Sequence, residues 1–209
     1  MACSAHAVVP ARGTRPRWVT LLGVAVAAIM ASHASESSCG DGPTPRVEMP
    51  IVGSEVPSFY VRAVTGPLAG KSVCYVCRNG DRPVVMVLLR ELGPDTAALL
   101  KDLDRSVNRH RADGLRCFAV LLSDTPQRDS ARLQTMAFDE KIDLPLTLAG
   151  EAATQGSSLA FPAGSAISVI TYQDLRIVQQ FSFKAGACDE SARRSIIAAS
   201  EKMLQASRP

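Results

Sequence analysis

The sequence lacks several things that would announce a chemistry. There is no second Cys-x-x-Cys to accompany Cys74 and Cys77, and only 3 of its 209 residues are histidine, so the four ligands of a structural zinc site have no evident source. No Ser-His-Asp set, Gly-rich phosphate loop or paired carboxylate constellation is present, which removes the common routes to hydrolysis and phosphoryl transfer. No internal repeat occurs. Charge of one sign is also missing: the formal +3 is accounted for by Arg12, Arg15 and Arg17, in a stretch with no Asp or Glu before Ser35. The rest of the chain is balanced and carries no basic footprint for nucleic acid or anionic membrane. The uncharged run Trp18 to Met30 is short for a membrane span.

That first stretch instead has the grammar of export. A basic segment, an apolar core and the small residues of Ser32-His33-Ala34 make residues 1–34 a signal peptide, with cleavage expected after Ala34 and an uncleaved N-terminal anchor as the alternative. Cys39 lacks the aliphatic and small residues that would precede a lipid-anchored cysteine. Residues 35–50, rich in Ser, Gly and Pro without apolar periodicity, read as a disordered linker. Residues 51–209 are the right size for one domain. A periplasmic or secreted location permits disulfides. The cysteines left after cleavage, Cys39, Cys74, Cys77, Cys117 and Cys188, are odd in number, so one thiol is free or paired with another chain.

The organising stretch runs from Lys71 to Glu91. Val84 to Leu89 is an unbroken apolar run behind Pro83, too short for a helix and rich in β-branched residues, and reads as a central strand buried on both faces. Before it, Val56 to Val64 and Lys71 to Tyr75 flank the turn set Thr65-Gly66-Pro67 and predict a hairpin, with the cysteine pair at the exit of its second strand. Arg78-Asn79-Gly80-Asp81 is predicted as a turn. After the central strand, Pro94-Asp95 opens a helix that carries Leu99, Leu100, Leu103 and Val107 on one side and closes at Asp113-Gly114. Leu115 to Leu122 is a second buried strand. Thr125-Pro126 caps a helix bearing Leu133 and Met136, and a short strand, Leu144 to Leu148, follows. A brief helix is expected within Glu151 to Phe161. Ala166 to Tyr172 and Arg176 to Phe183 form a hairpin, and Asp189 caps a last helix lined by Ile196, Ser200, Met203 and Leu204.

This order, with Val52-Gly53-Ser54-Glu55-Val56-Pro57-Ser58-Phe59 ahead of a hairpin and Arg82-Pro83-Val84-Val85-Met86-Val87 after it, resembles the redoxin branch (peroxiredoxins) of the thioredoxin-like superfamily. Lys-Ser-Val-Cys-Tyr-Val-Cys-Arg is similar to exported bacterial thioredoxin-like proteins with a comparable cysteine pair. The resemblance implies an α/β fold, a thioredoxin-like three-layer α/β/α arrangement with a mixed central sheet and an N-terminal β-hairpin. It also implies a reactive cysteine after the central strand, at the N-terminus of the next helix, where free N–H groups lower its pKa. Arg90-Glu91-Leu92-Gly93-Pro94 stands there, without cysteine, so peroxidase activity is not expected. The superfamily's cis-proline before the penultimate strand has no match either: that position reads Gly164-Ser165-Ala166-Ile167, and Pro162 comes too early.

Two readings of the pair remain open. Cys74 and Cys77 are the candidate catalytic residues of a thiol-disulfide oxidoreductase acting on a protein disulfide or dithiol partner, with Lys71, Arg78 and Arg82 favouring a thiolate. In the other reading the pair is a structural disulfide in a non-catalytic binding or scaffolding domain. A metal site from Cys74, Cys77, Cys117 and Cys188 is a third, weaker arrangement, and no cofactor is called for. Cys117 is expected in the core, Tyr75 in hairpin packing, Arg90 and Glu91 as a solvent-facing ion pair, with ligand binding at the end of the central strand as the alternative, and Cys188 at the surface or half-buried.

Overall fold

A computed structural model describes residues 52–150 and 161–206. The expected signal peptide, the linker and the brief helix near Glu151 lie outside the described residues, Phe161 excepted. The elements are β1 (Val61–Ala63), β2 (Ser72–Val73), α1 (Tyr75–Asn79), β3 (Val84–Leu89), α2 (Pro94–Arg109), β4 (Arg116–Leu122), α3 (Pro126–Glu140), β5 (Leu146–Ala149), β6 (Ile167–Gln173), β7 (Arg176–Phe183) and α4 (Glu190–Ala206). The strands form one seven-stranded sheet in the order β2-β1-β5-β4-β3-β6-β7. β3, β4 and β5 run parallel, and the flanking pairs are antiparallel.

β3 is the middle of the core, as its unbroken apolar run requires: all six of its residues are buried. Its side chains alternate between two clusters. Val85, Val87 and Leu89 meet Leu99, Leu100 and Leu103 of α2, Leu133 of α3 and Ile196 of α4. Val84, Met86 and Leu88 meet Val56, Tyr75, Val76 and Phe118. The three long helices therefore share one face. Two successive crossovers, β3-α2-β4 and β4-α3-β5, step the same way across the sheet, and right-handed connections then put both helices on one side. Among the described residues the second face is covered by α1 and the segment leading into β1.

Local chemistry moves some boundaries from where the sequence puts them. α2 ends at Arg109, with His110 as its cap; Asp113-Gly114 belongs to the turn that follows, in which the Gly114 N–H donates to the Arg111 carbonyl. The β6–β7 hairpin closes on Asp174 and Leu175 alone, both left-handed at φ 51° and 60°, the geometry of a two-residue turn whose twist matches the strands. Asp189 caps α4 as expected, accepting the Ala192 N–H at 2.8 Å.

Thr125 does not cap α3 with its side chain. Instead the Ser123 and Thr125 hydroxyls donate to Asp129 Oδ2 at 2.6 and 3.1 Å, and Arg132 Nη1 donates to Oδ1 at 3.0 Å. The first of these bonds is the leading cause that holds the Asp129 carboxyl below its ordinary value, against a burial that raises it. A depressed carboxyl stabilises the fold above the unfolded pKa and loses that contribution as pH falls through the folded one. Asp129→Asn is therefore expected to destabilise the protein at neutral pH, and the gap to the parent, followed by urea unfolding, should close in acid. A gap independent of pH would contradict the assignment.

Candidate functional site

The segment between β2 and β3 folds into a one-turn helix, where the sequence predicts the end of a strand at Tyr75 and a turn over Arg78-Asn79-Gly80-Asp81. Cys74 is its N-cap, with extended backbone, and its sulfur accepts the Cys77 N–H at 3.1 Å. Cys74 and Cys77 are joined in a disulfide, with a Cα separation of 5.4 Å. The turn expected at Arg78-Asn79-Gly80-Asp81 is thus corrected: Arg78 and Asn79 end a helix that Cys74 starts. Val76, fully buried against the sheet, and the stacking of Tyr75 on Phe118 at 5.1 Å supply the packing that holds so short a turn. Nothing local distinguishes Tyr-Val-Cys-Arg-Asn from a turn, since isolated helices of this length are not stable by themselves.

The two cysteines are unequal. Cys74 is 7% exposed and belongs to the second-face core, whereas Cys77 is exposed. The Tyr75 hydroxyl is buried and has no hydrogen-bond partner among the described residues; burial pushes its pKa up, and nearby Arg78 opposes this. Of the cations expected near the pair, Arg78 and Arg82 line one cavity with Arg111 and Arg116, and Lys71 is not among its lining residues. Arg111, in the turn after α2, and Arg116, which opens β4, come beside Arg82 when β3 and β4 align, Val84 beside Arg116.

The other cysteines among the described residues stand apart. Cys117 and Cys188 are unbonded and buried among the long helices, on the face opposite Cys74. Burial raises the Cys117 thiol far above its usual range and pushes Cys188 up to about 11. Cys188 is 0% exposed, which corrects its expected surface or half-buried position: it precedes the α4 cap and points into the core beside α2. The four-cysteine metal arrangement is not formed, and among the described residues no cluster of metal-ligating side chains occurs. Arg90 and Glu91, expected as an ion pair, are both exposed, and the Arg90 guanidinium lies 4.3 Å over the Phe161 ring.

No protein-family model matches the chain, and none of the curated proteins compared with it does. Solved structures do. Peroxidoxin BcpB from Mycobacterium tuberculosis is similar over 78% of this chain and 100% of its own, with TM-score 0.57 and 16% identity. A yeast mitochondrial 1-Cys peroxiredoxin covers 75% and 78%, at 0.56 and 11%. A secreted Mycobacterium tuberculosis disulfide oxidoreductase homologous to E. coli DsbE covers 69% and 95%, at 0.53 and 9%. The fold is thioredoxin-like. These neighbours are redoxins, as the sequence resemblance implied, and at such identities the likeness extends to architecture alone.

After the central strand stand Arg90, Glu91, Leu92, Gly93 and Pro94, without a cysteine. Gly93 is the extended N-cap of α2, Pro94 its first residue, and the Thr96 hydroxyl donates to the Glu91 carbonyl at 3.3 Å. The cysteine pair lies instead in the connection that enters β3. Among the described residues no helix is long and apolar enough to cross a membrane.

Proposed function

We propose that this is an extracytoplasmic thioredoxin-fold protein that exchanges disulfides with a protein partner through Cys74 and Cys77. One observation carries the reading: the exposed member, Cys77, is bonded to a buried sulfur that already accepts a main-chain N–H. A partner thiolate attacks Cys77 Sγ, the Cys74–Cys77 bond breaks, and its electron pair leaves on Cys74, where the Cys77 N–H meets the new thiolate. A second partner thiolate then attacks the mixed disulfide at the partner's sulfur, leaving the partner oxidised and Cys77 reduced. Arg78 and Arg82 favour both thiolates by their charge.

The absence of a cysteine from Arg90 to Pro94 after β3, together with the burial of Cys74, favours a second reading, a structural disulfide in a binding or scaffolding domain. The reduction potential of the pair separates the two: the expected value lies between about −270 and −120 mV, and one below about −300 mV marks a structural bond. Thermal unfolding adds an independent measure. Closing a loop of sequence separation 3 is worth only about 1.9 kcal/mol in the chain-entropy account. Reducing a structural bond should therefore lower Tm by a few degrees, at roughly 2 to 4 °C per kcal/mol for a domain of this size. An oxidising pair, whose reduced form is the more stable, gives a rise.

A further inference from the structure

Four arginines converge on one cavity at the amino end of the parallel strands, and we propose that it binds a small anion carrying two or more negative charges, of the phosphate-ester or polycarboxylate class. The cavity holds about 600 Å³, within the range of small-molecule sites. Arg78 comes from α1, Arg82 from the loop before β3, Arg111 from the turn after α2 and Arg116 from the start of β4; Asp143 is the only acid in the lining. The Arg116 N–H donates to the Pro83 carbonyl at 3.0 Å, which fixes β4 against the loop that carries Arg82.

Two of the heads are oriented by uncharged acceptors, although the Asp104 carboxylate feels the charge of Arg111. Arg116 Nη1 donates to the Leu115 and Arg111 carbonyls at 2.8 and 3.2 Å, and Arg111 Nη2 to Asn108 Oδ1 at 2.9 Å. Among the described residues none of the four makes an ion pair, whereas Arg132 and Arg193 each hold a carboxylate within 3.0 Å. The like charges act on one another: after burial, Arg82 and then Arg111 pull the Arg116 pKa down. Such a gathering is relieved by a counter-anion, and guanidinium forks match phosphate and carboxylate oxygens in bidentate fashion. Leu68, Tyr75 and Leu144 in the wall suit a carbon skeleton between the charged groups. The inference does not rest on disulfide exchange and stands if that reading fails.

The test titrates the full chain with sodium pyrophosphate and with sodium citrate, by calorimetry and thermal unfolding, against sodium chloride at equal ionic strength. At least one of the two anions is expected to bind and to raise Tm where chloride does not; pyrophosphate alone assigns the phosphate class and citrate alone the carboxylate class. Arg82→Gln and Arg116→Gln should each weaken binding about tenfold or more, the loss of a hydrogen bond to a charged group. Arg194→Gln, on α4 and paired with Glu190, should leave it unchanged. Arg82 makes no side-chain hydrogen bond among the described residues, so its variant keeps the test sound if Arg116→Gln fails to fold. Neither anion binding above chloride, or undiminished binding in Arg82→Gln, overturns the proposal.

Discussion

A Cys74→Ser variant is expected to accumulate as a stable mixed disulfide at Cys77 when mixed with a small disulfide such as oxidised glutathione, and a Cys77→Ser variant is not. The reason is the inequality of the two positions. Cys77 is exposed, and without Cys74 nothing in the loop resolves the adduct it forms. In the opposite variant the remaining thiol is that of Cys74, 7% exposed and packed with Met86 and Phe118, where access and desolvation both slow attack. Cys117 and Cys188 contribute little to the measurement, because both are buried and burial raises both thiols. Intact mass and peptide mapping should give adduct formation at Cys77 faster by about tenfold or more, since reactivity follows thiolate fraction and access. Equal rates, or faster trapping at Cys74, would reverse the assigned roles. The outcome also bears on the structural reading, in which neither single cysteine has reason to react quickly.

Phe118→Ala is expected to be the most damaging single substitution near the site. Phe118 is 1% exposed, faces the second core from β4 and stacks on Tyr75 with an interplanar angle of 18°. Removing a buried aromatic side chain costs about 3 to 5 kcal/mol, the lost transfer energy plus the cavity left behind. For a domain of this size that is a fall in Tm of roughly 6 to 20 °C. The effect should not stop at global stability: α1 has only Tyr75 and Val76 to anchor it among its buried residues, and with the ring gone its local opening should accelerate. Hydrogen exchange at the Cys77 amide, whose acceptor is Cys74 Sγ, would report this directly. Unchanged exchange in a globally destabilised variant would show that α1 is held by the disulfide instead of by its packing on β4.

Much of the architecture was decided by patterns in the chain itself. The β3 run from Val84 to Leu89 has no polar side to turn to water, so it is a central strand in any fold that buries it. The spacing of Leu99, Leu103 and Val107 requires a helix with one apolar face, and Asp189 ahead of Ala192 is a cap whatever surrounds it. The likeness to redoxins was legible for the same reason: an order of elements is a property of the sequence. What only the tertiary structure decided depends on groups distant in sequence. That Tyr75 to Asn79 is a helix, and not a strand end followed by a turn at Arg78, goes with the burial of Tyr75 and Val76 and the stacking of Tyr75 on Phe118, because one turn does not generate enough internal bonding to stand alone. Which cysteine is exposed follows from the fit of Cys74 into the second core. Cys188, beside a polar cap in sequence, is buried because α4 packs back against α2. The four arginines come from four separate segments, and their common charge acquired a place only when β3 and β4 paired in parallel register. Apolar periodicity is written in neighbours along the chain, and a site is made by neighbours in space.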